Sequence, residues 1–377
     1  MTTRVMITGG AGFIGTHLAR RLLREGCQVT ILDSFNPQIH GGQRSLPADL
    51  EGHVRLLVGD VRDHDTFRRA LDGQDVVVHL AAETGTGQSM YEVEQYESVN
   101  IGGTAVLLDC LVNDQRRRVR RIVLASSRAV YGEGKYHCPT CGVVYPAMRS
   151  AQDMKAGRFE PRCPHCGAEC SALPTDEGSP LQPSSFYGLT KQTQEQMLSL
   201  FARALGLSAF ILRYQNVYGP GQSLRNPYTG ILAIFASQAR SGQPIRVFED
   251  GLESRDFVHI EDAVDATWRC ICAKATGVEV LNVGSGSRVT VNEVAQGIAQ
   301  FFGSRSEVSV TGEFRAGDIR HSLADLSRVR QRLGFEPRWR FADGLREFLL
   351  WAEGQATGPN QYERSLSEMR DKGLLHG

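Results

Sequence analysis

The 377-residue sequence predicts an α/β fold in which a doubly wound parallel sheet carries a smaller α/β second lobe. Three observations predict it. Over the first 125 residues short β-branched runs alternate with helical patterns, the sequence sign of βαβ units. Those runs are nearly all apolar, as strands covered on both faces must be. From about Tyr214 onward the alternation gives way to longer Gly- and Pro-containing connections, which suit a lobe closing over the carboxyl edge of the sheet.

Taken in order, strands are expected at Arg4 to Thr8, Val29 to Asp33, Val54 to Val58, Val76 to Leu80 and Arg121 to Ala125, with a sixth at Ala209 to Arg213. Residues 1–213 are assigned to the sheet domain, with an insertion at 133–175 and with 247–285 returning to it. Residues 214–246 and 286–377 form the second lobe, and the chain is long enough for each lobe to bury a core. The run Arg116-Arg117-Arg118 falls between a helix and a strand and reads as a solvated turn. Lys+Arg and Asp+Glu both total 42, so no net field points to nucleic acid or an anionic membrane. Met1-Thr2-Thr3-Arg4 runs straight into the first strand without a signal-peptide apolar region, and no apolar stretch reaches roughly 18 residues. A reducing cytoplasm is the expected compartment, where clustered cysteines among the nine read as metal-binding or reactive rather than as disulfides.

Gly9-Gly10-Ala11-Gly12-Phe13-Ile14-Gly15 follows the first strand directly and opens a helix whose apolar face includes Phe13, Leu18 and Leu22. Gly9 permits a tight turn, Gly12 lets backbone approach a pyrophosphate, and Gly15 allows close helix packing. The helix N-terminus attracts phosphate charge. The second strand ends in Asp33, 18 residues beyond Gly15, where a carboxylate accepts hydrogen bonds from an adenosine ribose and repels a 2′-phosphate. The domain therefore reads as Rossmann-type, with NAD favoured over NADP.

The Gly-x-x-Gly-x-x-Gly spacing resembles the extended short-chain dehydrogenases/reductases, and later residues agree from Val5 to roughly Trp351. Gly59-Asp60-Val61-Arg62-Asp63 is similar to that family's adenine-contacting loop. His79-Leu80-Ala81-Ala82 is similar to the segment along its cofactor, and Asn100 with Gly103-Thr104 to its next helix start. The resemblance thus implies an NAD site built from Gly9, Gly12, Phe13, Ile14, Gly15, Asp33, Asp60, Val61, Leu80, Ala81, Ala82 and Asn100, together with Tyr187 and Lys191.

Tyr187-Gly188-Leu189-Thr190-Lys191 sets a phenol and an ammonium one helical turn apart on one face. A phenol with a pKa near 10 needs a neighbouring cation to act as a base at neutral pH, and Lys191 is expected to supply it. Ser126-Ser127 ends the fifth strand, and Ser127 matches the family's Ser/Thr, whose hydroxyl shares the substrate's reacting oxygen. In the family's 4,6-dehydratases an Asp-Glu couple follows that position, and the related decarboxylases carry a Glu. This chain has Arg128-Ala129, so elimination lacks its general acid. What remains is reversible hydride chemistry, as in the nucleoside-diphosphate-sugar 4-epimerases, with NAD staying bound.

Arg213-Tyr214-Gln215-Asn216-Val217-Tyr218-Gly219-Pro220 is similar to the family segment whose Asn contacts a diphosphate, which points to Asn216. Arg255 and Arg315 match its diphosphate-gripping arginines, and a guanidinium fork suits phosphate. Asp318 is a candidate for a ribose hydroxyl, and Glu83 and Thr84 for the sugar.

Ser127 and Tyr187 stand 60 positions apart, far more than the family spaces them. Inside the gap lie Cys138-Pro139-Thr140-Cys141-Gly142 and Cys163-Pro164-His165-Cys166-Gly167, separated by 21 residues. Four thiolates at this spacing, Cys138, Cys141, Cys163 and Cys166, suit one tetrahedral Zn²⁺, with Cys170 and His165 as possible substitutes. A closed four-Cys site is structural rather than catalytic. The insert is expected beside the active-site mouth, covering the sugar or an oligomer contact. With such an insert and the run Tyr214 to Gly230, the sequence resembles the bacterial dTDP-L-rhamnose 4-epimerases, which make dTDP-6-deoxy-L-talose. Sugar choice is expected to rest on the loops Glu83 to Ser89 and Asn226 to Thr229. The expected partners are a nucleoside-diphosphate sugar and a second copy of the chain, with neither nucleic acid nor membrane. An NAD(P)H-dependent 4-ketoreductase and a non-catalytic zinc-bearing binding protein stay open as other readings.

Overall fold

Each apolar run of the first half became a strand because its alternate side chains are buried on opposite faces. Val5 and Ile7 of the first strand enter one core with Leu18, Leu22, Ile31 and Val264, while Met6 enters another with Phe67, Leu107, Leu111 and Leu198. The computed structural model describes residues 2–226, 228, 230–303, 306–355 and 362–377. Pro227 and Thr229, from the second loop expected to choose the sugar, lie outside these.

Among the described residues seven strands form the main sheet: β1 (Arg4–Thr8), β2 (Gln28–Asp33), β3 (Arg55–Val58), β4 (Val76–His79), β5 (Arg121–Ser127), β6 (Ser208–Tyr214) and β7 (Val278–Val283). Their order is β7-β6-β5-β4-β1-β2-β3 and every pairing is parallel. The six expected strands match within two residues at each end. The seventh, missed in the sequence, is an edge strand paired with β6, and its Glu279 and Asn282 interrupt the apolar run. The order reverses between β4 and β1, so their carboxyl ends open a crevice, the place where ligands bind in such sheets.

The second lobe has its own core of Tyr218, Phe235, Ile245, Ile298 and Phe348, and Phe257, from the stretch 247–285 assigned to the sheet domain, packs into it as well. Tyr362 and Met369, from the helix Tyr362–Asp371, pack on Phe248, and the terminal strand Leu375–His376 pairs antiparallel with Phe314–Arg315. Tyr136–Cys138, Gly142–Val144 and Ser171–Ala172 make a small antiparallel sheet around a core of Tyr136, Cys138, Val144, Cys163 and Cys170. Among the described residues no helix is long and apolar enough to cross a membrane.

Candidate active site

A cavity of about 780 Å³ opens at the β1/β4 crevice and runs beneath the second lobe. Gly9, Gly12, Phe13, Ile14, Gly15, Asp33, Asp60, Val61, Leu80, Ala81 and Ala82 line one end. Gly9 sits at φ +68°, and a Cβ there would lie 2.8 Å from the Ala81 nitrogen; at Gly15 it would lie 2.5 Å from the Gly9 oxygen. These glycines leave a bare backbone cradle at the N-terminus of helix Phe13–Arg24. Asp33 accepts from the Ala11 N–H at 2.9 Å and the Phe35 N–H at 2.8 Å, so one carboxylate fixes both the glycine turn and the loop after β2. Asp60 is gripped by the Arg62 guanidinium at 2.7 and 2.9 Å, which holds its carboxyl below the usual carboxylate range. Asn100 is placed differently from the other expected cofactor residues. It is fully buried in a π-type turn, Glu97–Gly102, where it accepts from the Glu83 N–H at 2.8 Å and donates to the Thr190 hydroxyl at 2.9 Å. It ties the loop after β4 to the helix Phe186–Leu205 and is not part of the cavity lining.

Ser127, Tyr187 and Lys191 meet in the middle of the cavity. The helix bearing Tyr187 is capped by the Ser185 hydroxyl, and the Tyr187 N–H donates to Ser89 at 3.0 Å. Burial raises the phenol above its ordinary pKa, while the Ser127 hydroxyl and the Arg128 guanidinium pull it back. Lys191 is buried, donates to the Ala125 carbonyl at 2.9 Å and lies 5.9 Å from the Tyr187 ring centre. Burial without a carboxylate in contact pushes its ammonium down to about 7. Lys191 thus stands beside Tyr187, where it was expected, and Arg128 adds a second positive charge that favours the phenolate. One turn further, Glu195 receives the Arg213 guanidinium at 2.7 and 3.0 Å and the Ser126 hydroxyl, joining the catalytic helix to β5 and β6.

The far wall carries Asn216, Arg255, Arg315 and Asp318. Asp318 is clamped between Arg255 and Arg315 at 3.2 Å each, and the guanidiniums around it hold its carboxyl well below the usual range. Arg255 also donates to the carbonyls of Ser254, Ile319 and Arg320, so it shapes the loop as much as it faces the cavity. Glu83, between Asn36 and Gln95 at 3.0 Å each, and Thr84 border the middle.

A family model described as "NAD dependent epimerase/dehydratase family" matches residues 5–147 and 165–284. The chain belongs to that family. Within the family it is 38% identical to the dTDP-L-rhamnose 4-epimerase of Burkholderia thailandensis over 92% of this chain and 94% of that one. It is 30% identical to the UDP-N-acetyl-alpha-D-glucosaminuronate decarboxylase of Bacillus cytotoxicus, over 93% and 98%. Among solved epimerase/dehydratase-like structures, the UDP-glucose 4-epimerase of Thermotoga maritima with UDP-glucose superposes with a TM-score of 0.75 at 27% identity, covering 93% and 98%. MoeE5 in complex with UDP-glucuronic acid and NAD superposes at 0.74 with 30% identity, covering 92% and 98%.

The gap in the epimerase/dehydratase match, residues 148–164, falls inside the cysteine insert. There the Sγ atoms of Cys138, Cys141, Cys163 and Cys166 all lie within 4.8 Å of one another. The insert lies beside the cavity without lining it: among the described residues none from 134 to 185 is part of the lining. The insert instead braces the wall from behind. Arg149 reaches out of it to Glu249 at 2.7 Å twice, and Glu160 holds Arg320 at 2.7 Å and His321 at 3.1 Å. Glu249 has a left-handed φ of +50°. Sequence reasoning also missed Glu253, Tyr362 and Met369 on the cavity wall, because residues so distant in the chain leave no local spacing to read.

Proposed function

We propose that this chain is an NAD-dependent epimerase that inverts C4 of a nucleoside-diphosphate sugar through a transient 4-keto sugar, with dTDP-L-rhamnose to dTDP-6-deoxy-L-talose as the reaction. The observation that carries the reading is the meeting of Ser127, Tyr187 and Lys191 between a bare glycine cradle and an arginine-lined wall, with Arg128 and Ala129 where elimination would need an acid. The 38% identity to a dTDP-L-rhamnose 4-epimerase supports the choice of sugar. The cradle, Asp33 and the Asp60 loop would hold NAD, which would supply a reversible hydride acceptor at the sugar's C4.

The protein's own groups manage the proton and the pose. Tyr187 accepts the O4 proton as the hydride leaves and gives it back afterwards, and Ser127 donates a hydrogen bond to the same oxygen. Lys191, with a pKa of about 7, carries part of a charge at neutrality and gains more when an anionic phenolate forms beside it. Arg255 and Arg315 hold the diphosphate by exchanging part of their hold on Asp318, and Asn216 adds a neutral donor.

The cysteine cluster fits a structural Zn²⁺. Zinc–sulfur bonds of about 2.3 Å in a tetrahedron set sulfurs about 3.8 Å apart, and the four Sγ atoms already fall within 4.8 Å. Exposed Val112, Leu189 and Leu200, on two helices that pack together, support assembly into a homodimer, which light scattering would test.

The deciding experiment is incubation with dTDP- and UDP-sugars without added nicotinamide, following C4 configuration by NMR. Epimer formation, with near-stoichiometric NAD released from the denatured protein, is expected. A requirement for added NAD(P)H would identify a 4-ketoreductase, and no product from any sugar would overturn the proposal.

A further inference from the structure

Among the described residues five arginines line the cavity: Arg62, Arg128, Arg246, Arg255 and Arg315. Four are ion-paired, Arg62 to Asp60 at 2.7 Å, Arg246 to Glu313 at 2.6 Å, and Arg255 and Arg315 to Asp318 at 3.2 Å. The side chain of Arg128 makes no hydrogen bond or ion pair with any described residue. Arg128 is half-buried, and its guanidinium offers five N–H donors and no acceptor, so those donors face the cavity, where only water or a ligand can accept from them.

Arg128 follows Ser127 directly in the chain and lines the same cavity as Tyr187 and the Arg255–Asp318–Arg315 clamp. In a nucleoside-diphosphate sugar, one hexose ring separates the reacting hydroxyl from the diphosphate. In the dTDP-deoxysugar proposed above, which has no carboxylate, the only anion along that stretch is the phosphate joined to the sugar, and a planar fork recognises phosphate oxygens bidentately. We propose that Arg128 is a substrate-binding residue that grips the sugar-side phosphate of a nucleoside diphosphate. This rests on the nucleotide-sugar reading above.

The test is titration calorimetry of the NAD-loaded protein with dTDP and UDP, against dTMP and UMP, which lack that phosphate. For Arg128→Gln the diphosphates should bind about 10- to 100-fold more weakly, as expected for lost charge-assisted hydrogen bonds, and the monophosphates within about threefold of wild type. Arg128→Lys, which keeps the charge without the fork, should fall between. Because Arg128 makes no side-chain hydrogen bond or ion pair with a described residue in the free protein, Arg128→Gln should melt close to the wild-type temperature. Equal weakening of mono- and diphosphates, no weakening at all, or a melting point lowered by several degrees would overturn the assignment. Should the Gln variant fail to fold, the same comparison on Arg128→Lys decides: selective loss of diphosphate binding supports it and parallel behaviour overturns it. If wild-type protein binds neither dTDP nor UDP, it is the nucleotide-sugar reading that fails.

Discussion

Replacing Arg149 by Ala would strike the joint between the cysteine insert and the second lobe. Its side chain is 3% exposed and all five donors are used: Nε to Glu133 at 3.1 Å, one terminal nitrogen to the Phe159 carbonyl at 3.1 Å and Glu249 at 2.7 Å, the other to Glu249 at 2.7 Å and the Asp318 carbonyl at 3.0 Å. Removing one partner of a buried ion pair leaves uncompensated charge and typically costs about 3–5 kcal/mol. Glu133 and Glu249, at 1% and 4% side-chain exposure, would each keep Arg320 as a partner, so the lower end is expected. At ~2 °C per kcal/mol, thermal melting should fall by about 6 °C or more. Glu249→Gly in the same background removes the stranded carboxylate and suits the φ of +50°, so the double variant should recover part of the loss. Circular-dichroism melts of the four proteins measure this. A single variant melting within about 1 °C of wild type would show that this buried network does not hold the joint.

Tyr187→Phe should lower turnover by about 10²- to 10⁴-fold, the usual contribution of a proton-transferring group, while NAD content stays unchanged; a near wild-type rate in the NMR assay would remove Tyr187 from the mechanism. Cys138→Ser should lower both zinc content by metal analysis and melting temperature by several degrees, since a structural metal contributes folding energy. Wild-type protein purified without any metal would refute the site. Glu253 is 6% exposed, has a carboxylate oxygen without a hydrogen-bond partner, and is pushed up by burial to about 7. Its folded pKa lies above the unfolded value of 4.5, so the stability it contributes is present below pH 4.5 and is lost as pH rises to about 7. At about 1.4 kcal/mol per pH unit, Glu253→Gln should gain up to ~3 kcal/mol over wild type by pH 8 and nothing at pH 4.5. Urea denaturation across that range checks it, and parallel curves would contradict it.

The features legible in the sequence are those that chain spacing enforces. A buried parallel strand must be apolar for several residues running, so β1 to β6 could be read directly, whereas edge strand β7 with its polar Glu279 and Asn282 could not. Tyr187 and Lys191 share a helix face by virtue of being four apart, and Ser127 could be placed because it ends a strand. The four cysteines were legible for the same reason. The groups that balance charge around the site were not. Glu133 meets the Arg320 N–H 187 positions away and Arg149 meets Glu249 100 positions away, and no periodicity announces such pairs. Asn100 shows the converse: its motif was recognisable, yet its amide is spent on holding Glu83 and Thr190 in place.

The long excursion between Ser127 and Tyr187 does not bring those two residues together. Lys191 bound to the Ala125 carbonyl, Glu195 bound to Ser126 and Arg213, and the Tyr187 N–H on Ser89 hold the catalytic helix against β5 and β6 without any atom from 134 to 175. A surface loop can lengthen at such a point for little entropy, since closure grows only logarithmically with length. The insert's buried charges go elsewhere, to Glu249 and the Asp318 carbonyl on the wall that faces the nucleotide in the proposed function, and to Arg320 and His321 just beyond Asp318 in the chain. Damage to the insert should therefore weaken substrate binding before it touches proton transfer: KM should rise several-fold in Arg149→Lys while kcat stays close to wild type. The opposite pattern, kcat falling at constant KM, would mean that the excursion orders Tyr187 after all.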